Sequence, residues 1–555
     1  MTNHTAATVA LCLAVFCQTY LFLSVFTYSG FMAIFLIPGL TPATAGTRAG
    51  FISSSYMVGR TVSSYAWGGI ADTVGRKPVF YISFIIPGIF SILFGLSTSF
   101  SMALFSRFMM GVGNGLMLAA KTTVSELAKG DDQLEAKGMG LVMGMWGYGF
   151  LVCPAISGVL SEPVKQYPDF RVVQYFEHVL TRYPFLLPNL VSVLMCVMGF
   201  IGIYFFVEET LPEDKRKPVG EAISDLFDSF KKRLTSACID KSSQEVLPLQ
   251  ESSETNMNYT YSEKSFETDI LTSESSHGTN KEEDDGLMPH TESCTMLSTS
   301  VRFDSSKAVL EGTPKEKKSM KKKMSRASMA SLWAVPATRH HLMIFWLMSF
   351  MSVVLDEAFP LFSIAKVGGI NLLETGIGKI LSGAGLLFVC GQYIVYTYVM
   401  KYHGLYGSQV IGSILATPIT IIMPLGLYLN SGQAERNHLS WSAYIFFSLV
   451  LGCKNVCNNI AFSSIAIATN RSVVSTQRAS VNGLSMLGGS FAKALGPAVA
   501  GFLVTFSLEG KYFSPYVGDY VLFGAISSGG IYCVYYILTV LKTHYKDGTL
   551  VPIDH

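Results

Sequence analysis

Ionisable side chains inside long apolar stretches are the residues of this chain best suited to carry protons or to bind a charged solute. Asp356 and Glu357 are adjacent acids in one such stretch, and Arg60 and Lys493 are bases in two others. An ionisable side chain at the centre of a membrane costs about 2.5 to 3.5 kcal/mol on insertion scales, so each one needs a function or a partner. We take these residues as candidate proton-binding or substrate-binding residues. Arg60 and Lys493 have the alternative role of snorkelling or capping neighbouring carbonyls.

The adjacent acids cannot both face one cavity, because successive residues of a helix point about 100° apart. Pro360 follows them and is expected to break or kink the helix, which would open backbone groups to a cavity. A buried carboxyl can bind and release a proton as a cavity alternates between the two sides of a membrane. The alternative is that Asp356 and Glu357 form a solvated turn at the outer surface.

The elements that must position these residues are membrane-spanning helices. Hydrophobic residues make up 50% of the 555-residue chain and charged residues only 14%, whereas soluble domains carry about 25% charged residues. A soluble enzyme is therefore disfavoured, and the net charge of +2 gives no reason to expect a nucleic-acid partner. Stretches long enough to cross about 30 Å of hydrocarbon lie near residues 9–36, 49–70, 79–97, 101–124, 137–160, 185–207, 341–364, 375–399, 407–430, 440–467, 479–506 and 517–541.

These stretches predict an all-α membrane protein with 12 transmembrane helices in two pseudo-symmetric six-helix bundles. The predicted domains are an N-terminal bundle at 1–211, a disordered cytoplasmic linker at 212–331, a C-terminal bundle at 332–541 and a cytoplasmic tail at 542–555. The linker is rich in Ser, Thr, Glu and Lys and cannot bury enough apolar surface to fold. Its basic residues at 315–326 either contact anionic lipid or form a solvated run of charge.

Basic residues in the short loops predict the orientation. Arg76, Lys77 and Lys401 fall on the same side as the bases of the C-terminal tail, and that side should be cytoplasmic. Both termini are then cytoplasmic. An acidic dileucine-like pattern at 283–288 is too weak to decide which membrane holds the protein. The candidates are the plasma membrane and a vacuolar or lysosomal membrane.

Two short segments at equivalent positions of the two halves also match. Residues 150–160 align with residues 494–503, so that Pro154 and Gly158 correspond to Pro497 and Gly501. This match is typical of a duplicated transporter, in which substrate binds near the membrane midplane between the repeats.

A glycine-rich charged loop lies between the second and third predicted spans. Its glycines allow a sharp turn, and its acid and bases can pair or cap neighbouring helix ends. We expect a clasp that holds one conformation shut; ordinary positive-inside anchoring is the alternative. The residues concerned are Gly68, Asp72, Gly75, Arg76 and Lys77.

This loop resembles the hallmark loop of the major facilitator superfamily. A segment of the fourth predicted span resembles that family's fourth-helix arginine and glycine motif, and a segment of the fifth resembles the motif of its antiporter branches, with Cys153 and Ser157 where glycines are usual. The resemblance implies the major facilitator fold and transport by alternating access. The motif residues are Arg107, Gly111 and Gly115 in the fourth span and Gly149, Pro154 and Gly158 in the fifth.

Within that superfamily, the chain is similar to the zinc-induced facilitator-like proteins of the drug/proton antiporter-like branch. The similarity lies in residues 53–60, 67–72, 478–483 and 491–497. Glu357 matches the acidic position of their seventh helix, which implies that Glu357 rather than Asp356 carries the proton. Arg107 would then serve either an anionic cargo or the proton relay.

The sequence as a whole predicts a secondary active transporter coupled to protons in a lipid bilayer. Its cargo would be a small organic anion, a metal chelate or a drug-like molecule. The alternative function is a non-transporting membrane sensor or scaffold that uses the long linker. We expect no enzymatic activity, no cofactor and no resident metal, since Cys453 and Cys457 are two thiols without further ligands at zinc spacing.

Overall fold

The computed structural model describes residues 2–128, 132–211, 329–430, 439–473, 478–509, 511–546 and 549–550, with residues 213, 216 and 221. Most of the predicted linker, including the basic cluster at 315–326, lies outside the described residues. Helix Met329–Ala334 begins just before the predicted end of the linker at 331. The linker and its lipid contact therefore remain predictions.

The first half contains six spans, which we number in chain order. Span 1 consists of helix Thr2–Leu23, the 3-10 turn Ser24–Thr27 and helix Ser29–Leu36. Span 4 is also broken. The remaining bounds are Gly46–Thr73 for span 2, Arg76–Gly95 for span 3, Phe100–Val112 with Leu116–Leu127 for span 4, Asp132–Leu160 for span 5, Leu186–Phe206 for span 6, and Pro163–Gln166, Arg171–Tyr175 and Glu177–Arg182 for short helices between spans 5 and 6.

The second half repeats this plan. A single helix assignment, Glu374–Ile421, holds spans 8 and 9, which separate at Gly404, where φ is 64° and ψ is −166°. The other bounds are Pro336–Ile364 for span 7, Met423–Asn430 for a 3-10 segment after span 9, Trp441–Arg471 for span 10, Arg478–Leu508 for span 11, Pro515–Thr539 for span 12, Leu541–His544 for a final 3-10 turn, and Tyr545–Lys546 with Thr549–Leu550 for a two-stranded antiparallel hairpin.

The predicted all-α fold with 12 spans is confirmed. Ten helices are long and apolar enough to cross a membrane, and Glu374–Ile421 counts once among them although it holds two spans. Span 2 is less apolar because it carries Arg60 and several serines and glycines. Span 9 ends its α-helix at Ile421 and is followed by the 3-10 segment to Asn430. Span 7 continues through Pro360 to Ile364, so Pro360 does not break the helix, and the predicted kink stays a prediction.

Glycines allow two pairs of spans to join the halves at very short distances. A Cβ added at Gly46 of span 2 would lie 2.6 Å from the carbonyl oxygen of Gly501 in span 11. A Cβ added at Gly378 of span 8 would also lie 2.6 Å from the carbonyl oxygen of Pro154 in span 5. Only glycine permits such backbone contacts. They close the protein at the face where residues 37–45 and 365–373 connect the spans, which we call the closed face.

The two segments that match in sequence make equivalent contacts. In span 5, Pro154 and Gly158 pack on span 8, the second span of the other half. In span 11, Pro497 and Gly501 pack on span 2, and the backbone N–H of Ala498 donates to Ser54 Oγ at 3.1 Å. The fifth span of each half therefore packs on the second span of the other half, as expected for repeated halves.

Tyr545 anchors the residues after span 12 to spans 7 and 9. Nδ1 of buried His341 lies 2.6 Å from the Ala337 carbonyl, which can only accept, so Nδ1 carries the hydrogen and Nε2 is the acceptor. Tyr545 Oη donates to that Nε2 at 2.8 Å and accepts from Gln409 Nε2 at 2.9 Å. Burial raises the pKa of the Tyr545 hydroxyl, which keeps its proton for this bond.

We predict that Gly50→Val loosens the closed face, because a side chain at Gly50 would meet the Pro497 carbonyl group. In detergent, a cysteine introduced as Thr505→Cys, beside the Thr47 backbone N–H, should react several-fold faster with a bulky maleimide in this variant. Gly140→Val is the matched control, since a side chain there meets no atom within 4 Å. Equal labelling rates in the two variants would contradict this packing.

We predict that Tyr545→Phe destabilises the second half by about 1 to 3 kcal/mol, because the buried Nε2 of His341 loses its hydrogen-bond donor and the Gln409 amide keeps only its longer bond to the Ser464 carbonyl. The measurement is the thermal unfolding midpoint of the purified protein in detergent. Tyr512→Phe removes the hydroxyl of a tyrosine that is 59% exposed and serves as the control. If both variants unfold at the parent's midpoint, the anchor contributes nothing.

Candidate functional site

Glu357 lies at the junction of the two halves and is fully buried. Its Oε1 accepts hydrogen bonds from Ser53 Oγ of span 2 at 2.9 Å and from Ser29 Oγ of span 1 at 3.3 Å. Its Oε2 has no hydrogen-bond partner within the described part of the chain. The alternative of a solvated surface turn is therefore wrong for Glu357, and its carboxyl connects span 7 to the first half.

Asp356 instead points into its own half, the second half of the molecule. Its Oδ1 lies 3.2 Å from Lys454 Nζ of span 10, and the two side chains are 19% and 6% exposed. Pro360 has no N–H to donate to the carbonyl of Asp356, so one helical hydrogen bond is missing beside this ion pair. The adjacent acids thus divide as the helix geometry predicts: one contacts the first half and the other the second.

Arg107 is buried inside the first half and does not pair with a carboxylate within 4.0 Å among the described residues. Its Nη1 donates to the carbonyl oxygen of Leu21 at 2.9 Å, in the last turn before span 1 breaks. Its guanidinium lies 4.9 Å from the ring centroid of Tyr56 and 5.4 Å from that of Phe94. These contacts hold spans 1, 2, 3 and 4 together next to the serines that bind Glu357.

The glycines of the fourth-helix motif bring span 4 against span 2. A Cβ at Gly111 would lie 2.9 Å from the backbone nitrogen of Arg60, and one at Gly115 would lie 2.7 Å from the ring of Trp67. Trp67 Nε1 donates to the carbonyl oxygen of Val112 at 2.9 Å, where span 4 is interrupted. The motif is therefore a packing surface that fixes the position of Arg60.

The fifth-helix motif contacts both span 1 and span 8. Gly149 packs on Thr19 of span 1, whereas Pro154 and Gly158 form the junction with span 8. Ser157, which stands where the antiporter motif usually has glycine, lies with its Oγ 2.8 Å from Thr27 Oγ1. The serine thus connects span 5 to the broken part of span 1.

The charged loop begins span 3, and its turn requires glycine at position 75. Gly75 has φ of 126°, and a Cβ there would lie 2.8 Å from Glu209 Cδ. Glu209 caps the helix: its Oε1 accepts from the Arg76 N–H at 3.0 Å and its Oε2 from the Lys77 N–H at 2.9 Å. Sequence reasoning missed this cap, although acids are favoured at helix N-termini.

The other described contacts of the loop also stay within the first half. Arg76 Nη2 lies 2.8 Å from Glu126 Oε1 at the end of span 4, and Lys77 Nζ donates to the Tyr204 carbonyl at 3.1 Å. A Cβ at Gly68 would only touch Leu118, at 3.8 Å. The side chain of Asp72 lies outside the described residues, so the clasp across the halves stays a prediction.

Arg60 and Lys493 come from different halves and lie close enough for their positive charges to repel each other. Both are half-buried. Lys493 Nζ lies 6.0 Å from the ring centroid of Phe462. Lys121 of span 4 interacts electrostatically with both bases. Sequence reasoning missed Lys121. The only indication in the sequence was that this base lies inside the apolar stretch 101–124.

The two thiols of span 10 differ in their exposure. Cys457 is buried, and Cys453 is exposed. Across the described ranges, no group of three or more His, Cys, Asp or Glu side chains could hold a metal ion.

Comparisons with known proteins agree with this architecture. The sequence profile of the Major Facilitator Superfamily matches residues 14–497. The chain is 25% identical over 481 residues to Protein ZINC INDUCED FACILITATOR 1 of Arabidopsis thaliana, which covers 84% of this chain and 77% of that protein. It is 24% identical over 514 residues to the major facilitator superfamily multidrug transporter mfsB of Aspergillus fumigatus, which covers 89% of this chain and 78% of that protein.

The fold is also similar to that of a solved transporter. The crystal structure of a D-xylose-proton symporter aligns with a TM-score of 0.59 over 99% of both chains, at 11% sequence identity. The family predicted from the charged loop and the helix motifs is confirmed: the chain belongs to the major facilitator superfamily.

Proposed function

We propose that this protein is a proton-coupled transporter of a small organic solute, and that Glu357 is its proton-binding residue. The cargo classes are an organic anion, a metal chelate and a drug-like molecule. The observation that supports this role of Glu357 is its fully buried carboxyl, which bridges the halves through the hydroxyls of Ser29 and Ser53. The names of the relatives, a zinc-induced facilitator and a multidrug transporter, agree with cargo of this kind.

The bridge gives a physical route from proton binding to movement of the halves. A neutral carboxyl costs much less to bury than a carboxylate that lacks full pairing. When the halves separate, Ser29 and Ser53 move away with the first half, and water replaces them at Glu357. Loss of the proton then favours the open arrangement, and binding of a proton favours the closed one.

The predicted orientation assigns a state to the structure. The closed face carries the loops at 37–45 and 365–373, which the positive-inside rule puts outside the cytoplasm. We therefore propose that the structure represents the conformation that is closed on the non-cytoplasmic side. Both termini then lie in the cytoplasm. Opening would break the glycine contacts between spans 2 and 11 and between spans 5 and 8. The membrane is the plasma membrane or a vacuolar or lysosomal membrane.

We predict that Glu357→Gln abolishes accumulation driven by a pH gradient, because the amide keeps the shape of the protonated acid but cannot release a proton. Exchange of cargo for cargo should survive, since that cycle needs no deprotonation. The assay is uptake into vesicles with an imposed pH gradient, with a mixture of cell-extract solutes followed by mass spectrometry.

Asp356→Asn is the matched control in the adjacent position. It weakens the ion pair with Lys454 inside the second half but leaves the bridge to the first half. It should retain gradient-driven accumulation. Full accumulation by Glu357→Gln would reject Glu357 as the coupling residue, and loss in Asp356→Asn alone would transfer that role to Asp356.

A further inference from the structure

Three bases from both halves form a cluster inside the membrane-spanning region. Arg60 lies in span 2, Lys121 in span 4 and Lys493 in span 11, and all three are half-buried. Lys493 is within electrostatic range of both others, and Lys121 is within range of Arg60. Lys121 Nζ also contacts Met486 Sδ of span 11 at 3.7 Å, so the cluster lies where the halves meet.

Within the described part of the chain, these bases lack the carboxylate or carbonyl partner that Lys454 and Arg107 have. Arg107 donates to the Leu21 carbonyl, and Lys454 pairs with Asp356 at 3.2 Å. By contrast, among the described side chains no carboxylate lies within 4.0 Å of a nitrogen of the three clustered bases. Asp356 is within electrostatic range of Lys493, but its carboxylate already pairs with Lys454.

Like charges held close together in a partly buried site repel one another, and each also loses part of its hydration. An arrangement of this kind needs a compensating anion. One negative charge would leave most of the repulsion in place, whereas two or more would balance it. We infer that the transported solute is an organic anion with at least two negative charges, and that Arg60, Lys121 and Lys493 bind it together.

This inference rests on the proposed transport function and names the charge of its cargo. It separates the three cargo classes, since it selects polycarboxylates, organic phosphates and anionic chelates over neutral or cationic drug-like molecules. The apolar neighbours Phe462 and Met486 would contact the carbon skeleton of the solute. Because both halves contribute bases, anion binding would also draw the halves together at the cluster.

The first test needs no ligand. Removing one of several mutually repelling charges should stabilise the empty protein, so Lys493→Gln and Lys121→Gln should each raise its thermal unfolding midpoint in detergent. Lys401→Gln, at an exposed lysine near the end of span 8, is the matched control and should leave the midpoint unchanged. A midpoint that falls in both cluster variants would overturn the claim that the bases repel each other without a partner.

The second test uses citrate, succinate and pyrophosphate as probes, against acetate and sucrose at matched ionic strength. At least one multivalent probe should raise the midpoint of the full-length protein more than acetate does. The probe concentration that gives half of the maximal shift should rise about tenfold in Lys493→Gln and in Lys121→Gln. It should stay unchanged in Lys401→Gln. No gain over acetate, or an equal gain in all variants, would overturn the inference.

These binding tests are independent of proton coupling. Glu357→Gln should keep its response to the multivalent probe, because Glu357 is not part of the base cluster. If Glu357→Gln still accumulates solute from a pH gradient while the probe response requires Lys493, the proposed coupling residue is wrong and the anion site stands. If coupling depends on Glu357 and no anion binds, the anion site is wrong and the coupling stands.

Discussion

The structure depends on one constraint: a charged side chain inside a membrane protein must find a partner, because water is not available to solvate it. Lys454 meets this constraint with Asp356, whereas Arg107 meets it only in part, since its Nη1 donates to the Leu21 carbonyl while Nε and Nη2 have no hydrogen-bond partner among the described residues. Glu357 meets it only in part, through serines of the opposite half. The ion pair of Lys454 with Asp356 stabilises the second half, whereas an incompletely paired carboxyl such as that of Glu357 is where protonation can change.

Close backbone packing is the second determinant of the architecture. Matched prolines and glycines in spans 5 and 11 each pack on the second span of the other half. These contacts depend on the absence of side chains, and the hydrogen bonds beside them, from the Ala498 N–H to Ser54 Oγ and from the Thr47 N–H to Thr505 Oγ1, join uncharged groups. A junction of this kind suits halves that move relative to each other, whereas the ion pair between Asp356 and Lys454 lies within one half and need not break.

Much of this could be read from the sequence because the signals were local. Apolar stretches predicted the spans, a short repeat predicted two related halves, and the angle between adjacent helix positions predicted that Asp356 and Glu357 diverge. The contacts that escaped prediction join distant residues. Glu209 caps a helix that begins 133 residues earlier, and Tyr545 bonds to His341 across 204 residues. Lys121 becomes a candidate site residue only because the fold places Lys493 of span 11 near it. No periodicity or spacing encodes such pairs.

The opposed acids of span 7 have a mechanical consequence. Glu357 fixes one side of the helix to spans 1 and 2, while Asp356 fixes the other side to span 10. Rotation of the helix about its own axis would pull both carboxyls from their partners at once, whereas tilting it stretches mainly the bonds of Glu357. These two sets of contacts therefore hold span 7 more firmly against rotation about its own axis than against tilting.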